Sequence, residues 1–543
     1  MDDRKDFRRG KKSLPIDGFV SDGRQLGLPA SNSAFRPKRG HTTPSLGSVM
    51  KLTDGFYPMR ASQGGINPTP EVDEAALLDS PIVLDSNSIP KKKYRFGFAR
   101  PKLRKSLKRT GLVLASLVLL LGMYFAVKIY VTERHLFRGG GKAPALAANV
   151  DINQLRGEGD GRVNILLLGI GGPGHDGPDL TDTIMVVSID PINNNVVMLS
   201  IPRDLCVKLP CSANQKINAV YALAKEASRA KTLAGQEQDG LKALDDTLSP
   251  IIGVPIHYHV VVDFTAFKDV VNSLGGVTVN VPDELYDPTI AWENGYNPVI
   301  AKPGVQTMDG QKALLYAKSR ETSSDFARAE RQRLLLVAMK DKTLSLGTFS
   351  NPVKVSSLLN SLGNNVYTDF SVNDTTRVYQ IAQKIPSNKI TSLDLVTPPH
   401  DFLTTGTVDG STSIVEPKAG LLDYSDIQNY VRNVMRDSFI AKENANIAVY
   451  NATDIAGMAT SKGTLLKSYG YTVTTIANTP SVSNPATTTL VDLTKGKDKY
   501  TRHYLEERFG VTAVSSVPKS AGVTPPAGTS FVIILGRDAA TSG

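Results

Sequence analysis

The sequence predicts an α/β protein. It reads as a layered α-β-α domain with a central mixed sheet, a smaller C-terminal α/β domain and one N-terminal transmembrane helix. Three observations carry this. An apolar run of 21 residues with a single charge, 111–131, directly follows a basic block. From Val163 to about residue 345, short apolar runs bounded by glycines or turn residues alternate with segments of helical spacing. The same alternation resumes near Asn446 and runs to Asp538. The chain has 543 residues, 41% hydrophobic and 21% charged. That leaves room for about three or four domains and excludes a wholly disordered or collagen-like chain.

Residues 1–90 are rich in Gly, Pro, Ser and charge without sustained periodicity, and read as a disordered cytoplasmic tail. Residues 91–110 are a basic juxtamembrane segment, with ten Lys and Arg and no acid over 91–109. The net charge of +10 is concentrated there, and residues 110–543 are close to neutral. A pI of 9.2 is therefore weak evidence for nucleic acid, and no nucleic-acid partner is expected. As a helix, 111–131 spans about 31 Å and matches a hydrocarbon core of about 30 Å, with Lys128 free to snorkel. The leader is too long for a cleaved signal peptide, and the A-x-A at 145–147 lies too far downstream. Basic residues stay inside and favour anionic membrane lipids, so the chain is expected in the cell membrane with a cytoplasmic N-terminus and extracytoplasmic domains. Such domains work without cytosolic ATP or NAD. Residues 132–160 contain GGGKAPALAAN and read as a linker.

In the domain expected over 161–345, VNILLLGI, DTIMVVSID and NNVVMLSIP are buried strands, the last two joined by the turn PINNN. KINAVYALAKEAS is a helix and HYHVVVDF a strand. TAFKDVVNSLG is a helix ending at Gly275, and VTVNVP a strand. MDGQKALLYAKSR is a helix capped by Asp309, and SSDFARAERQRLLLVAMKDKTL a longer one capped near Ser324 or Asp325. Residues 346–440 continue this domain and lead out of it. In the domain expected over 446–538, NIAVYNAT, YTVTTI, TTLVDL and FVIILGRD are strands. MATSKGTLLKSYG, stopped by Gly470, and YTRHYLEERFG are helices.

The glycines of GIGGPG at 169–174 fit G-x-G-x-x-G after a strand, with Asp190 placed like a ribose-binding acid. That fingerprint must open a helix. Here Pro173 and Pro178 forbid one, so dinucleotide binding is set aside.

Four other segments bring chemistry together. They are LTDTIMVVSID with Asp182, LSIPRDL with Arg203 and Asp204, YAKSR with Lys318 and Arg320, and SDFARAERQR with Asp325, Arg328, Arg331 and Gln332. Each alone could be a surface ion pair or a solvated face. Together they set acids beside at least three guanidinium groups. Arg328, Arg331 and Gln332 are related by i+3 and i+4 and project from the first turns of a helix, an end that favours anions. Several arginines with carboxylates suit a pyrophosphate: guanidinium binds phosphate oxygens bidentately, and a hard cation such as Mg²⁺ or Mn²⁺ lets carboxylates approach.

This pattern resembles the LytR–CpsA–Psr family of cell-wall glycopolymer transferases. The resemblance runs from about 163 to 336 through LLLG, TDTIMVVSID, LSIPRD, KIN, VVVDF, LGGV, YAKSR and DFARAERQ. The tail resembles the C-terminal domain of many members. Membership implies transfer of a phospho-glycopolymer from a polyprenyl-pyrophosphate carrier onto peptidoglycan. By the resemblance, Asp182 is a metal-binding acid, and Arg203, Arg320, Arg328 and Gln332 contact phosphate. Asp325 is the acid of its motif. Arg331 and Lys318 complete the expected substrate contacts, and Asp204 and Asp325 are candidate general bases. The chain departs from the family pattern at Gly171, Leu180 and Lys318. Asp176 or Asp179 could supply a second metal ligand in place of the missing acid. A hydrolase using the same site and a non-catalytic wall-binding or anchoring protein are the alternatives.

An apolar slot for lipid could be lined by the VVVDF and ALLY segments. A chain reversal at Pro210 would bring Cys206 and Cys211 together as a disulfide, with two free thiols as the alternative. His257 and His259 share a strand face and read as packed residues, with metal binding the lesser reading. Trp292 lies in a polar loop, AWENGYNP, where a sugar is a candidate contact.

Overall fold

The computed structural model describes residues 141–320, 325–345, 365–408 and 412–540. The expected tail, basic segment and 111–131 helix lie outside the described residues. Among the described residues no helix is long and apolar enough to cross a membrane.

The apolar runs at the start of the domain form β1 (Val163–Ile170), β2 (Thr181–Asp190) and β3 (Asn195–Ile201). Then come α1 (Ile217–Ala227), α2 (Leu233–Ile252), β4 (Tyr258–Asp263) and α3 (Phe264–Ser273). A small lobe follows, built from β5 (Val277–Val281), β6 (Leu285–Tyr286), β7 (Val299–Ala301) and β8 (Gly304–Met308). The domain continues with α4 (Gly310–Lys318), α5 (Asp325–Ser345), β9 (Val366–Thr368), α6 (Val372–Ala382) and β10 (Ile390–Leu393). It closes with β11 (Leu403–Val408), β12 (Thr412–Pro417), α7 (Ser425–Val434) and α8 (Ser438–Glu443).

Six strands form one mixed sheet in the order β10-β3-β2-β1-β4-β9. β1 runs parallel to β4 and antiparallel to β2, which is antiparallel to β3. The carboxyl ends of β1, β3 and β4 therefore meet the amino end of β2 at one edge, the place where open α/β sheets bind ligands. Period-two alternation puts Leu166, Leu168 and Ile170 against α1, α2 and α7 on one face. Val163, Ile165 and Leu167 face α5 and α6 on the other. This is the expected three-layer arrangement. The VTVNVP strand differs: it pairs with β8 in a separate hairpin outside the central sheet.

The second module holds β13 (Asn446–Asn451), α9 (Met458–Ser468), β14 (Thr472–Asn478), β15 (Thr489–Asp492), α10 (Lys499–Phe509) and β16 (Phe531–Leu535). Its sheet order is β14-β13-β16-β15. Every β16 residue is buried, as expected for a strand covered on both faces.

The linker reading of 132–160 is corrected over 141–160. Ala143, Ala145 and Leu146 join the core that holds Val163 and Ile165, and Leu155 enters the core of the second module. Glu158 accepts two hydrogen bonds from Arg508, at 2.7 Å each, and one from Tyr471 Oη at 2.8 Å. The Tyr469 ring lies between Arg508 and Arg432, whose guanidinium carbons are 4.0 and 4.1 Å from its centroid. The buried Asp437 carboxylate accepts from the backbone N–H groups of Gly159, Gly161, Phe439 and Ile440 and from Tyr504 Oη. A Cβ on Gly161 would stand 2.4 Å from Asp437 Oδ1, so that position needs glycine. Apolar packing and paired charge thus fix this stretch where a linker composition suggested slack.

His257 and His259 prove to be buried and hydrogen-bonded to carboxylates within the domain. His257 bonds Asp160 at 3.2 Å. His259 lies between Asp369 at 2.7 Å and Asp245 at 2.8 Å, tying β4 to the end of β9 and to α2. Burial opposes its charge, but the two carboxylates outweigh burial and raise its pKa from 6.5 to about 9. A raised folded-state pKa gives stability that is complete below about 6.5 and lost as pH rises through about 9, on the order of 3 kcal/mol in all. Urea midpoints should therefore fall between pH 6.5 and 9 in the wild type. His259→Asn should start lower and lose most of that slope.

Candidate active site

At the ligand-binding edge of the sheet, the β2–β3 register sets Ile184 opposite Ile201. Asp182 and Thr183, at the start of β2, therefore lie beside Arg203 and Asp204, just past β3. Arg203 Nη1 donates to Asp182, and its Nε is 3.6 Å from Asp204. Burial disfavours the Arg203 charge, but Asp182 and Asp204 outweigh it and raise the pKa above the ordinary arginine value. Lys216 Nζ donates to Asp204 at 3.0 Å, and Arg320 Nη2 is 3.9 Å from the same carboxylate. Lys216 belongs to the KIN segment, to which no role was assigned. Only the fold shows it as the partner of Asp204.

The first turns of α5 close the other side. Gln332 Nε2 donates to Thr183 Oγ1 at 3.3 Å, placing that helix next to Asp182. Arg328 and Gln332 are both buried, at 6% and 8% exposure, one turn apart on the same face. Asp325 opens α5, but its side chain lies outside the described residues. The structure therefore brings Asp182, Arg203, Asp204, Arg320 and Gln332 together, with Arg328 on the Gln332 face of α5. Two buried polar atoms there, Arg203 Nε and Gln332 Oε1, have no hydrogen-bond partner among the described residues. Unmet buried donors and acceptors are free to meet a polar ligand or water.

Two expected substrate contacts, Arg331 and Lys318, are spent inside the protein. Arg331 is buried under the end of α4, where its Nε donates to Tyr316 O at 2.9 Å and its Nη2 to Ser319 O at 2.5 Å. Burial, partly offset by Tyr316, lowers its pKa to about 10. It caps the orphan carbonyls of a helix C-terminus. Lys318 is spent on Glu293, with Nζ 2.6 and 2.7 Å from the two carboxylate oxygens. The two candidates for a second metal ligand have different surroundings. Asp179 holds Lys225 at 2.6 Å, and Asp176 lies on the exposed crest of the 171–180 loop. Among the described residues no three acid, His or Cys side chains converge to hold a metal. Asp182 still fits a hard divalent ion: its carboxylate is 40% exposed and only one oxygen is bonded to Arg203. One or two carboxylates are enough for Mg²⁺ when phosphate oxygens complete the shell.

The rest of the edge is packed. Cys206 and Cys211 form a disulfide that closes the loop after Asp204. Val261 and Leu315, from the two segments expected to line a lipid slot, are buried in separate cores. Asp190, the ribose-acid candidate, instead accepts from the N–H groups of Ile192 and Asn193 in its own turn and pairs with buried Arg162.

Residues 133–421, just over half of the chain, match the LytR_cpsA_psr family profile. The protein belongs to this family. Residues 444–538 match a second profile, described as LytR cell envelope-related transcriptional attenuator. Among curated relatives, the polyisoprenyl-teichoic acid–peptidoglycan teichoic acid transferase TagV of Bacillus subtilis is 30% identical over 220 residues, 40% of this chain and 51% of that one. The transferase TagU of Oceanobacillus iheyensis is 34% identical over 229 residues, 41% of this chain and 63% of that one. The crystal structure of B. subtilis TagV has 27% identity and a TM-score of 0.37, covering 50% of this chain and 97% of that chain. The alignments span between about half and just under two thirds of the curated relatives' length.

The division between structural and substrate-facing arginines is testable. Arg331→Ala should lower the urea unfolding midpoint, with a loss of about 1–3 kcal/mol from the two carbonyls it leaves bare. Arg203→Ala should shift that midpoint far less, because its neighbours Asp182 and Asp204 are reached by water.

Proposed function

We propose that this protein is a membrane-anchored, extracytoplasmic phosphotransferase that moves a glycopolymer from a polyprenyl-pyrophosphate carrier to a peptidoglycan hydroxyl. The observation that carries the reading is the convergence of Arg203, Arg320 and Gln332 beside Asp182 at one sheet edge, with Arg328 on the adjoining helix face. Family membership supports it, as do the names of two relatives as teichoic acid transferases.

In this reading Arg203, Arg320 and Arg328 grip the pyrophosphate oxygens, and Gln332 and the amino end of α5 help to orient them. The acceptor hydroxyl oxygen attacks the phosphorus next to the polymer sugar. The bond from that phosphorus to the bridging oxygen breaks, and polyprenyl phosphate leaves. Negative charge spreads over the transferring group, so prepositioned guanidinium groups carry most of the catalysis. Mg²⁺ or Mn²⁺ held by Asp182, when bound, supplies further positive charge to the phosphates. Asp204 spends its oxygens on Lys216 and the arginines, which makes it a positioner for Arg203. Asp325 is then the candidate to accept the hydroxyl proton.

Full-length protein, a synthetic lipid-pyrophosphate saccharide, a divalent ion and peptidoglycan fragments test this. Transfer should appear with the wild type and fall at least about 100-fold in Arg203→Ala, with an unchanged circular dichroism spectrum. Full transfer by a folded Arg203→Ala protein would end the assignment. Release of free phospho-saccharide without peptidoglycan would point to a hydrolase, and no reaction at all to a binding protein.

A further inference from the structure

The turn between β6 and β7 displays two aromatic rings to solvent beside the proposed site. Trp292 is 65% exposed and Tyr296 84%. Single exposed aromatics usually need no explanation. These differ in how firmly they are held and in what holds them.

The turn is locked to the segment that carries Arg320. The buried Asp287 accepts from Ser319 Oγ at 2.7 Å and from Arg320 N at 3.1 Å. Glu293, the residue after Trp292, grips Lys318 with both oxygens, and its carbonyl accepts from Gln311. Inside the turn, Asn294 Nδ2 donates to the carbonyls of Asn297 and Val299, and Tyr296 N donates to Ala291 O. Tyr296 adopts φ +63, an unusual conformation for a bulky residue, and this network holds it there. The turn that carries the rings therefore has a fixed place relative to Lys318 and Arg320. The Lys318–Glu293 ion pair is spent within the protein, so it serves to anchor the turn.

Flat aromatic faces exposed to water on a held turn suit one ligand chemistry well. A pyranose ring has an apolar C–H face that packs on an aromatic ring, and hydroxyls at its edge that stay wet. A phosphate gains nothing from the electron-rich face of an aromatic ring. A lipid chain would need an enclosed apolar surface, which a polar turn does not offer. We propose that Trp292 and Tyr296 form a sugar-binding platform flanking the arginine site, taking a pyranose unit of the glycan chains that meet there. This deepens the transferase reading and rests on it for the identity of those glycans. The shared chemistry is the sugar ring, which either the peptidoglycan acceptor or the lipid-linked polymer can supply.

Trp292 is the only tryptophan in the chain, so its fluorescence reports on this turn alone. Full-length protein in detergent should show a saturable change in tryptophan emission when titrated with peptidoglycan glycan fragments or a chitin oligosaccharide. Tyr296→Ala should weaken that binding. In transfer assays, Trp292→Ala should raise KM about fivefold to tenfold, the size of one aromatic contact, and Trp292→Phe should recover much of the loss. A rise confined to the peptidoglycan substrate assigns the platform to the acceptor. A rise confined to the lipid-linked saccharide assigns it to the donor polymer. No emission change with either glycan, together with both KM values unchanged in Trp292→Ala, overturns the proposal. A wild type that transfers nothing would overturn the transferase reading, and the fluorescence titration would still decide the platform.

Discussion

A partly buried guanidinium must have its charge met, and Arg203 meets this demand with acids from two adjacent strands. Asp182 comes from the beginning of β2 and Asp204 from just past β3. They can flank one arginine because the β2–β3 ladder is in a single register, with Ile184 opposite Ile201. A slip of one residue would turn Asp182 toward the opposite face and send the β2 side chains into the wrong cores. The two packed cores on either face of the sheet forbid that slip. The hydrophobic sandwich therefore maintains the electrostatics of the site.

The opposite wall depends on the elbow between α4 and α5. Arg331 closes the carboxyl end of α4, Asp287 holds the Ser319 hydroxyl and the Arg320 N–H, and Glu293 holds Lys318. These bonds are internal, and their effect is to present Arg320 and the Arg328–Gln332 face. A cluster that looks uniformly basic in sequence thus divides into charges that build the wall and charges that face the cleft.

Beyond the site, paired charges bind the first module to the second. Glu158 takes its donors, Arg508 and Tyr471, from the second module, the buried Asp437 carboxylate collects donors from both, and Arg432 and Arg508 enclose Tyr469 between them. Buried charge is costly unless fully partnered, and an incomplete joint would leave these groups bare. The second module is accordingly a fixed extension of the sheet domain over the described residues.

Local pattern was enough for much of this. The strands of VNILLLGI, TDTIMVVSID and NNVVMLSI and the helix capped by Asp309 follow from period, turn chemistry and capping, all short-range properties. The convergence of Asp182, Arg203, Arg320 and Gln332 was legible through the order of their motifs. The 20-residue α2 was not read, because its stretch mixes apolar residues with Gly, Gln, Asp and Pro250. β9 and β10 are too short, at three and four residues, to show a period. The packing of 141–160 was hidden as well, since its small residues resemble those of a linker. Which arginine turns inward, which acid already has a lysine, and whether VTVNVP joins the main sheet all depend on partners distant in sequence. Spacing along a chain can set a side chain on a face. Only the folded neighbours decide whether that face meets water, a carbonyl or an opposite charge.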